Sequence, residues 1–449
     1  MTFNPRELSD FARFYGFHYN NLNPLSLVHD VLIDMERGLK GEPSSLPMIP
    51  SWIRPVTRIQ AGKTVLALDA GGTNLRASLV RFDDQGKALA EGTLKAPMPG
   101  TRGQVNAVQF FDQIADLAGP LLEKASAIEG IGFTFSYPME ITKEADGILL
   151  AFSKEVDAPE LIGKSVGAGL REALGRRGLN YKGRIIMLND TVATLLSGLV
   201  EIPADGEAEK TENKYGAAGG PVIGFILGTG FNTAYPEKSI PKIGFNSEDP
   251  QIVVCETGTF NFRYRGRLDR EYDATTKTPN AYTQEKATSG AYLGPLTLHI
   301  LQQAVKDKVI QFKRSPEFLA MNTLQTRDLN EFMHHPLAAL GPLGSLIGLD
   351  EEDALAAVQY LTSIVTERAG MLSAAVAAAQ VERVAATYEP YAPVRIAVEG
   401  TTYMIYKHMR RALESWLHFM LYSDTPRPYV IAPVEQASLF GAAVAALSE

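Results

Sequence analysis

Residues 64–82 read T-V-L-A-L-D-A-G-G-T-N-L-R-A-S-L-V-R-F. The apolar run from Val65 to Leu68 enters Asp69, crosses two glycines and restarts at Leu75, the pattern of strand, glycine turn, strand. Gly71 and Gly72 permit a tight turn and let backbone N–H groups approach an anion. Thr73 and Asn74 add donors, and Arg76 can supply charge to a phosphate. Asp69 stands where a carboxylate could hold a magnesium ion through water. The plain alternative is a hairpin turn with solvated polar residues, and Gly-Gly-Thr alone would not separate the two. Asp, Gly-Gly, Thr, Asn and Arg at this spacing after an apolar strand is more specific.

The same design recurs in the second half of the chain. V-I-G-F-I-L-G-T-G-F-N-T-A-Y, from Val222, is again strand, glycine turn, strand, with Gly228, Thr229 and Gly230 at the turn. Alone it reads as an ordinary hairpin; beside the first loop it reads as a second phosphate clamp. Neither loop continues into Gly-Lys-Ser/Thr, so neither is a Walker P-loop. One such hairpin per half suggests a duplicated nucleotide-binding unit with a cleft between the halves.

Working outward, strands and helices alternate. Leu27, Val28, Val31, Leu32 and Met35 repeat at helical period, with Gly38 or Gly41 placed to end the helix. E-P-S-S-L-P-M-I-P-S-W reads as an irregular linker. Helix is expected over 108–124 and strand over 128–136 and from Arg184. A helix follows from Thr191, with Asp190 placed as its N-cap. The polar, glycine-rich residues 203–220 read as an exposed insertion. Residues 352–388 read as one long helix or two, 394–399 as a strand, 404–420 as a helix, Tyr429 onward as a short strand, and 437–447 as a last helix. This alternation argues for an α/β fold.

Composition sets outer bounds. The 449 residues are 45% hydrophobic and 21% charged, as in an ordinary globular protein. A net charge of −8 disfavours nucleic acid or an anionic membrane as a general partner. One cysteine, Cys255, allows no internal disulfide and no cysteine-based zinc site, which fits a reducing compartment. With no signal pattern and no long apolar run, cytoplasm is the expectation.

Two further stretches hold groups that could do chemistry. G-F-T-F-S-Y-P (132–138) puts Ser136 at the end of a strand before a proline. L-N-D-T-V, from Leu188, puts Asn189 and Asp190 at a strand end, where Asp190 could cap the helix, take a proton from a hydroxyl, or both.

Taken in order, L-D-A-G-G-T-N-L-R, G-F-T-F-S-Y-P, G-I-L-L-A-F-S-K, N-D-T-V-A-T, G-T-G-F-N-T-A-Y, C-E-T-G-T-F and Q-E-K-A-T-S-G-A-Y-L-G resemble the hexokinase family. The likeness starts near Met35 and runs, with gaps, to the C-terminus. It implies the actin-like ATPase (ribonuclease H-like) fold, with a small and a large domain closing over a sugar. The implied layout is an N-terminal helical segment and linker (1–63) packed on the large domain, a small domain (64–188, completed by 435–449) and a large domain (189–434). It also implies transfer of a phosphoryl group from ATP, with Mg²⁺, to the 6-hydroxyl of a hexose, glucose first among candidates, by a monomer or homodimer.

By the same resemblance, Ser136 hydrogen-bonds the sugar. Ser153 and Lys154 stand for a family Thr-Lys pair, with the lysine near the transferred phosphate. Asn189 and Asp190 match the family Asn-Asp, with Asp190 as base. Asn232, Glu256 and Glu285 match residues that bind sugar hydroxyls. Gly400 and Thr401 match an adenosine turn, although Glu399 stands where the family has aspartate. Two other departures are the missing tryptophan after Glu256, which implies different packing beside the sugar, and Q-A-S-L-F-G-A-A from Gln436 in place of a glycine-rich run. Three alternatives stand beside this reading: a sugar kinase of the ROK type, which the single cysteine disfavours; a non-catalytic hexose or nucleotide sensor; and an actin- or chaperone-like ATPase.

Overall fold

The computed structural model describes residues 2–55, 59, 61–84, 86–125, 127–152, 156–200, 220–336, 341–388 and 392–448. Ser153, Lys154 and residues 203–219 of the expected insertion lie outside the described residues.

The strands are β1 (Ile49–Pro50), β2 (Thr64–Gly71), β3 (Asn74–Phe82), β4 (Ala88–Pro97), β5 (Gly130–Phe135), β6 (Met139–Ile141), β7 (Gly147–Leu149), β8 (Arg184–Leu188), β9 (Val222–Leu227), β10 (Phe231–Ile240), β11 (Phe245–Val254), β12 (Val394–Glu399) and β13 (Tyr429–Pro433). They form a five-stranded sheet, order β4-β3-β2-β5-β8, a six-stranded sheet, order β1-β11-β10-β9-β12-β13, and the small β6–β7 hairpin. Each large sheet combines an antiparallel glycine-turn hairpin with parallel strands: β2 pairs β3 antiparallel and β5 parallel, and β9 pairs β10 antiparallel and β12 parallel. The two repeated sequence patterns therefore occupy equivalent places in their sheets.

Both sheets are covered on both faces, which explains the near-continuous apolar runs in their central strands. One core joins helices Ala107–Lys124 and Val166–Arg176 to the outer face of the first sheet. Another joins the N-terminal residues Leu8, Phe11, Met35 and Leu46 and the helix Glu352–Thr387 to the second. The third lies between the sheets: Val65, Ala67 and Ile186 from one, Val222, Ala234 and Ala397 from the other, and between them helices Asp190–Ser197 and Ala437–Ala445. At Gly441 these two helices meet with no side chain between them. A β-carbon on Gly441 would lie 2.0 Å from the Ala193 carbonyl oxygen, and one on Gly132 would lie 1.8 Å from that of Ala442.

Local differences from the sequence reading have physical causes. Asn189, not Asp190, caps the helix: its side-chain oxygen accepts from Thr191 N at 2.8 Å, and Asp190 is the first helical residue. The Asp190 carboxylate instead accepts from the Thr191 hydroxyl at 3.2 Å. Residues 352–387 form one helix, whereas the expected helix over 404–420 is two, Thr401–Ile405 and Met409–Tyr422, broken where His408 takes φ 67°. The expected irregular linker is pinned to the second sheet: Ile49 and Pro50 pair with β11, and Ser51 N donates to Ile252 O at 3.0 Å. Gly41, at φ 74°, ends the helix Pro24–Lys40.

Gly441→Ala should lower thermal stability by about 1–3 kcal/mol or more, because the added carbon meets backbone that cannot move without parting the two helices. Gly175→Ala, in an exposed helical position with open space around it, should raise stability by about 0.5–1 kcal/mol. Denaturant titration of both variants checks the pair, and equal loss in the two would show that the Gly441 contact is not what matters.

Candidate active site

The site grows from strand ends. β2 delivers Asp69 beside its turn, and Asp69 lies opposite Arg76 in the β2–β3 register, with Arg76 Nε 3.4 Å from Asp69 Oδ2. Gly72 has φ 61°, and its carbonyl accepts from the Tyr137 hydroxyl at 2.6 Å, which fixes the turn. Thr73 and Asn74 at the tip are exposed, while Asp69 is only 3% exposed. Ser136, just past β5, donates its N–H to Ala70 O. A β-carbon on Gly71 would sit 3.5 Å from Asp69 Oδ1 and 3.8 Å from Ser136 Oγ, so the carboxylate and the hydroxyl both lie beside the turn.

The second hairpin meets a different partner. Gly228 O accepts from Gly290 N at 2.8 Å and from the Thr402 hydroxyl at 2.7 Å, and Thr229 O accepts from Ala291 N at 3.0 Å. Gly400, at φ 119°, precedes Thr401 and passes so close that a β-carbon there would lie 2.3 Å from Leu227 O. Gly228, Thr229, Gly400 and Thr401 thus form one glycine-lined corner.

Next to it lies a group rich in acceptors. Asn232 Nδ2 donates to Glu256 Oε1 at 2.9 Å, and Asn232 Oδ1 accepts from Thr233 N and Thr257 N. Glu285 Oε2 accepts from Phe231 N at 3.1 Å and would be 2.9 Å from a β-carbon on Gly230. Glu256 sits in the left-handed region at φ 56°, unusual for a residue with a side chain and a mark of imposed geometry. Thr257, where the family has tryptophan, is buried.

Asp190 joins these groups electrically. Burial pushes the Asp69 carboxyl up to about 6, with Arg76 pulling it down and the Asp190 charge pushing it further up. Burial raises Glu256 to about 7 against the Asn232 hydrogen bond, with the Asp190 and Glu285 charges adding to the rise. Glu399 is raised to about 7, by burial first and by the Asp190 charge next. Burial disfavours the charged form of each carboxyl, and repulsion from the neighbouring carboxylates adds to it. The Thr194 hydroxyl bridges Asp190 O and Glu399 Oε2, at 3.0 and 3.3 Å.

The fold therefore gathers Asp69, Gly71, Gly72, Arg76 and Ser136 on one side, and Gly228, Gly230, Asn232, Glu256, Glu285, Gly400 and Thr401 on the other. Asn189 and Asp190 lie between. Ser153 and Lys154 are not placed. The sequence reading missed Glu399 as a member, treating it only as a departure. Its signal was present: an acidic residue ending the apolar strand V-R-I-A-V-E before a glycine, as Asp69 ends its own. Among the described residues no group of three or more His, Cys, Asp or Glu could hold a metal by itself, and no helix is long and apolar enough to cross a membrane.

Family models described as hexokinase match residues 14–200 and 222–448. Human hexokinase-3 is 30% identical over 412 residues, 86% of this chain but 42% of that one. Hexokinase-2 of Candida albicans is 26% identical over 451 residues, 94% of this chain and 88% of that one. This chain therefore spans less than half of the human relative but most of the fungal one. The fold matches that of a hexokinase from Schistosoma mansoni complexed with glucose, with a TM-score of 0.74, 24% identity and 99% of each chain covered. With both halves matched in order and the two glycine-turn hairpins in equivalent sheets, the chain belongs to the hexokinase family.

Proposed function

We propose that this chain transfers the γ-phosphoryl group of ATP to the 6-hydroxyl of a hexose, with glucose the first candidate. The observation that carries this reading is the place of Asp190: its charge acts at once on Asp69 beside the first glycine turn and on Glu256 in the acceptor-rich group. A base between a phosphate-holding loop and a hydroxyl-holding group is the arrangement phosphoryl transfer needs.

Asn232, Glu256 and Glu285 accept and donate hydrogen bonds to sugar hydroxyls, with Ser136 and Asn189 closing the other side. Such a set rejects analogues that leave its buried groups unpaired. Asp190 accepts the proton of the 6-hydroxyl as that oxygen forms its bond to the γ-phosphorus; the bond from phosphorus to the bridging oxygen breaks, and ADP leaves. The hairpins of Gly71–Arg76 and Gly228–Gly230, with Gly400 and Thr401, hold the nucleotide. By the resemblance, Ser153 and Lys154 complete the set, with the lysine's charge acting on the transferred phosphate. The hard oxygen donors Asp69 and Glu399, crowded by the charge of Asp190, fit a divalent cation carried with ATP. Bound Mg²⁺ would neutralise charge on the phosphate oxygens. Residues 64–188 with 435–449, and 189–434, act as the two domains, with 1–63 on the larger, and their closure excludes water.

ADP release in a coupled assay with Mg-ATP, comparing glucose, mannose, fructose, N-acetylglucosamine and no sugar, tests the reading directly. Sugar-dependent turnover is expected; turnover independent of sugar would overturn it. Asp190→Asn should cut kcat by about 10²–10⁴-fold, the usual worth of a general base, while calorimetry still detects hexose binding. Near-full activity would remove Asp190 from its role.

The raised carboxyls give a pH prediction. Between the ordinary value of 4.5 and about 7, folded Glu256 and Glu399 hold protons that the unfolded chain has released. Stability of the ligand-free protein therefore falls as pH rises through that window. Glu256→Gln and Glu399→Gln should each flatten the fall and raise the melting temperature at pH 8, while Glu256→Gln weakens hexose binding. Melting curves from pH 5 to 8 that rise instead would contradict this.

A further inference from the structure

Gln380 lies in the helix Glu352–Thr387, on a stretch otherwise rich in buried alanine and valine, and is itself 0% exposed. Its side-chain amide reaches two strands at once: Nε2 donates to the Thr233 hydroxyl and to Cys255 Sγ, the latter at 3.2 Å. Turning the amide over would exchange donor for acceptor but bridge the same two side chains. Thr233 follows Asn232 on β10, and Cys255 precedes Glu256 just beyond β11. Cys255 N donates to Thr233 O at 2.9 Å, and one residue along each strand Asn232 Nδ2 donates to Glu256 Oε1 at 2.9 Å. Asn232 and Thr233 are neighbours on β10 and point to opposite faces of it, so the Thr233–Gln380 contact lies behind the Asn232–Glu256 contact.

Gln380 Oε1 is buried and has no hydrogen-bond partner among the described residues. An apolar side chain of similar length would avoid that orphan, so core packing alone does not account for a glutamine here. Meanwhile Glu256 is held at φ 56°, in a conformation that persists only where its surroundings over-determine it. In front, Asn232 Oδ1 takes Thr257 N at 3.3 Å and the Thr259 hydroxyl donates to Glu256 O at 2.6 Å.

We infer that Gln380 is a positioning residue for hexose binding: by tying Thr233 to Cys255 it sets the spacing and orientation of Asn232 and Glu256. This rests on the hexose-holding role given to that pair above. The effect belongs to sugar binding, because the amide's hydrogen bonds go to Thr233 and Cys255 and to neither glycine turn.

Gln380→Met keeps length and removes the bridge. Thr233→Val removes its other end and keeps shape, which covers the case in which the first variant fails to fold. Each should raise the hexose KM, and the glucose Kd by calorimetry, about tenfold, with kcat and the KM for ATP within about twofold of wild type. Their double variant should be no worse than either single one. Leu361→Val, elsewhere in the same buried helix, is the control: it should cost stability without moving the hexose KM. Unchanged hexose KM and Kd in both variants, or a parallel loss of kcat and of ATP affinity, would overturn the inference. Wild-type protein that neither binds glucose nor releases ADP with any hexose would instead overturn the functional reading on which it depends.

Discussion

Backbone-to-backbone contact between two short helices is the constraint on which the rest of the molecule depends. Asp190–Ser197 and Ala437–Ala445 lie in one layer between the sheets, meeting at Gly441 and Ala193, and the second rests on β5 at Gly132. Helix axes ordinarily stand about 8–10 Å apart because side chains fill the gap; glycine removes that spacer. The sheets are thereby held near enough for strand ends of both to reach one site. Asp190 opens the first of these helices, so the packing that joins the halves also sets the position of the carboxylate between them.

What that packing assembles is electrostatically uncomfortable. Asp69, Glu256 and Glu399 are all pushed above the usual carboxylate range, with burial the leading cause and the charge of Asp190 acting on each. The buried salt bridges elsewhere behave differently: Arg368 meets both oxygens of Asp269, and Arg265 and Lys286 converge on Asp273. Where charge serves the scaffold it is paired. At the site carboxylates are also crowded against one another, which costs stability.

Much of this was legible in the sequence. The turn D-A-G-G-T-N declares itself because glycine geometry and polar donors are local properties, and the apolar runs of β2 and β9 declare buried strands. The Asn-Asp pair was legible as a pair, but not which member caps the helix. Both side chains can take that place, and the choice depends on where the neighbouring strands hold the backbone. Glu399 was passed over because its raised carboxyl arises from burial first and then from the charge of Asp190, far away in sequence. The linker at 49–53 escaped because its order comes from pairing with β11, and the break at His408 because Lys407 N bonds to Asn330 Oδ1, a contact no periodicity encodes.

The helix Ala437–Ala445 carries one more consequence. It packs on β2 and β5, whose strands are synthesised hundreds of residues earlier. During translation, Val65, Ala67 and Ile186 emerge without the apolar cover that Leu439, Phe440 and Val444 later provide. The first sheet can form its hairpin and its outer core early, but its inner face must wait for the tail of the chain. Long-range closure of this kind is slow and leaves apolar surface exposed meanwhile. On the ribosome, the inner face of the first sheet is the last part of that half to gain its apolar cover.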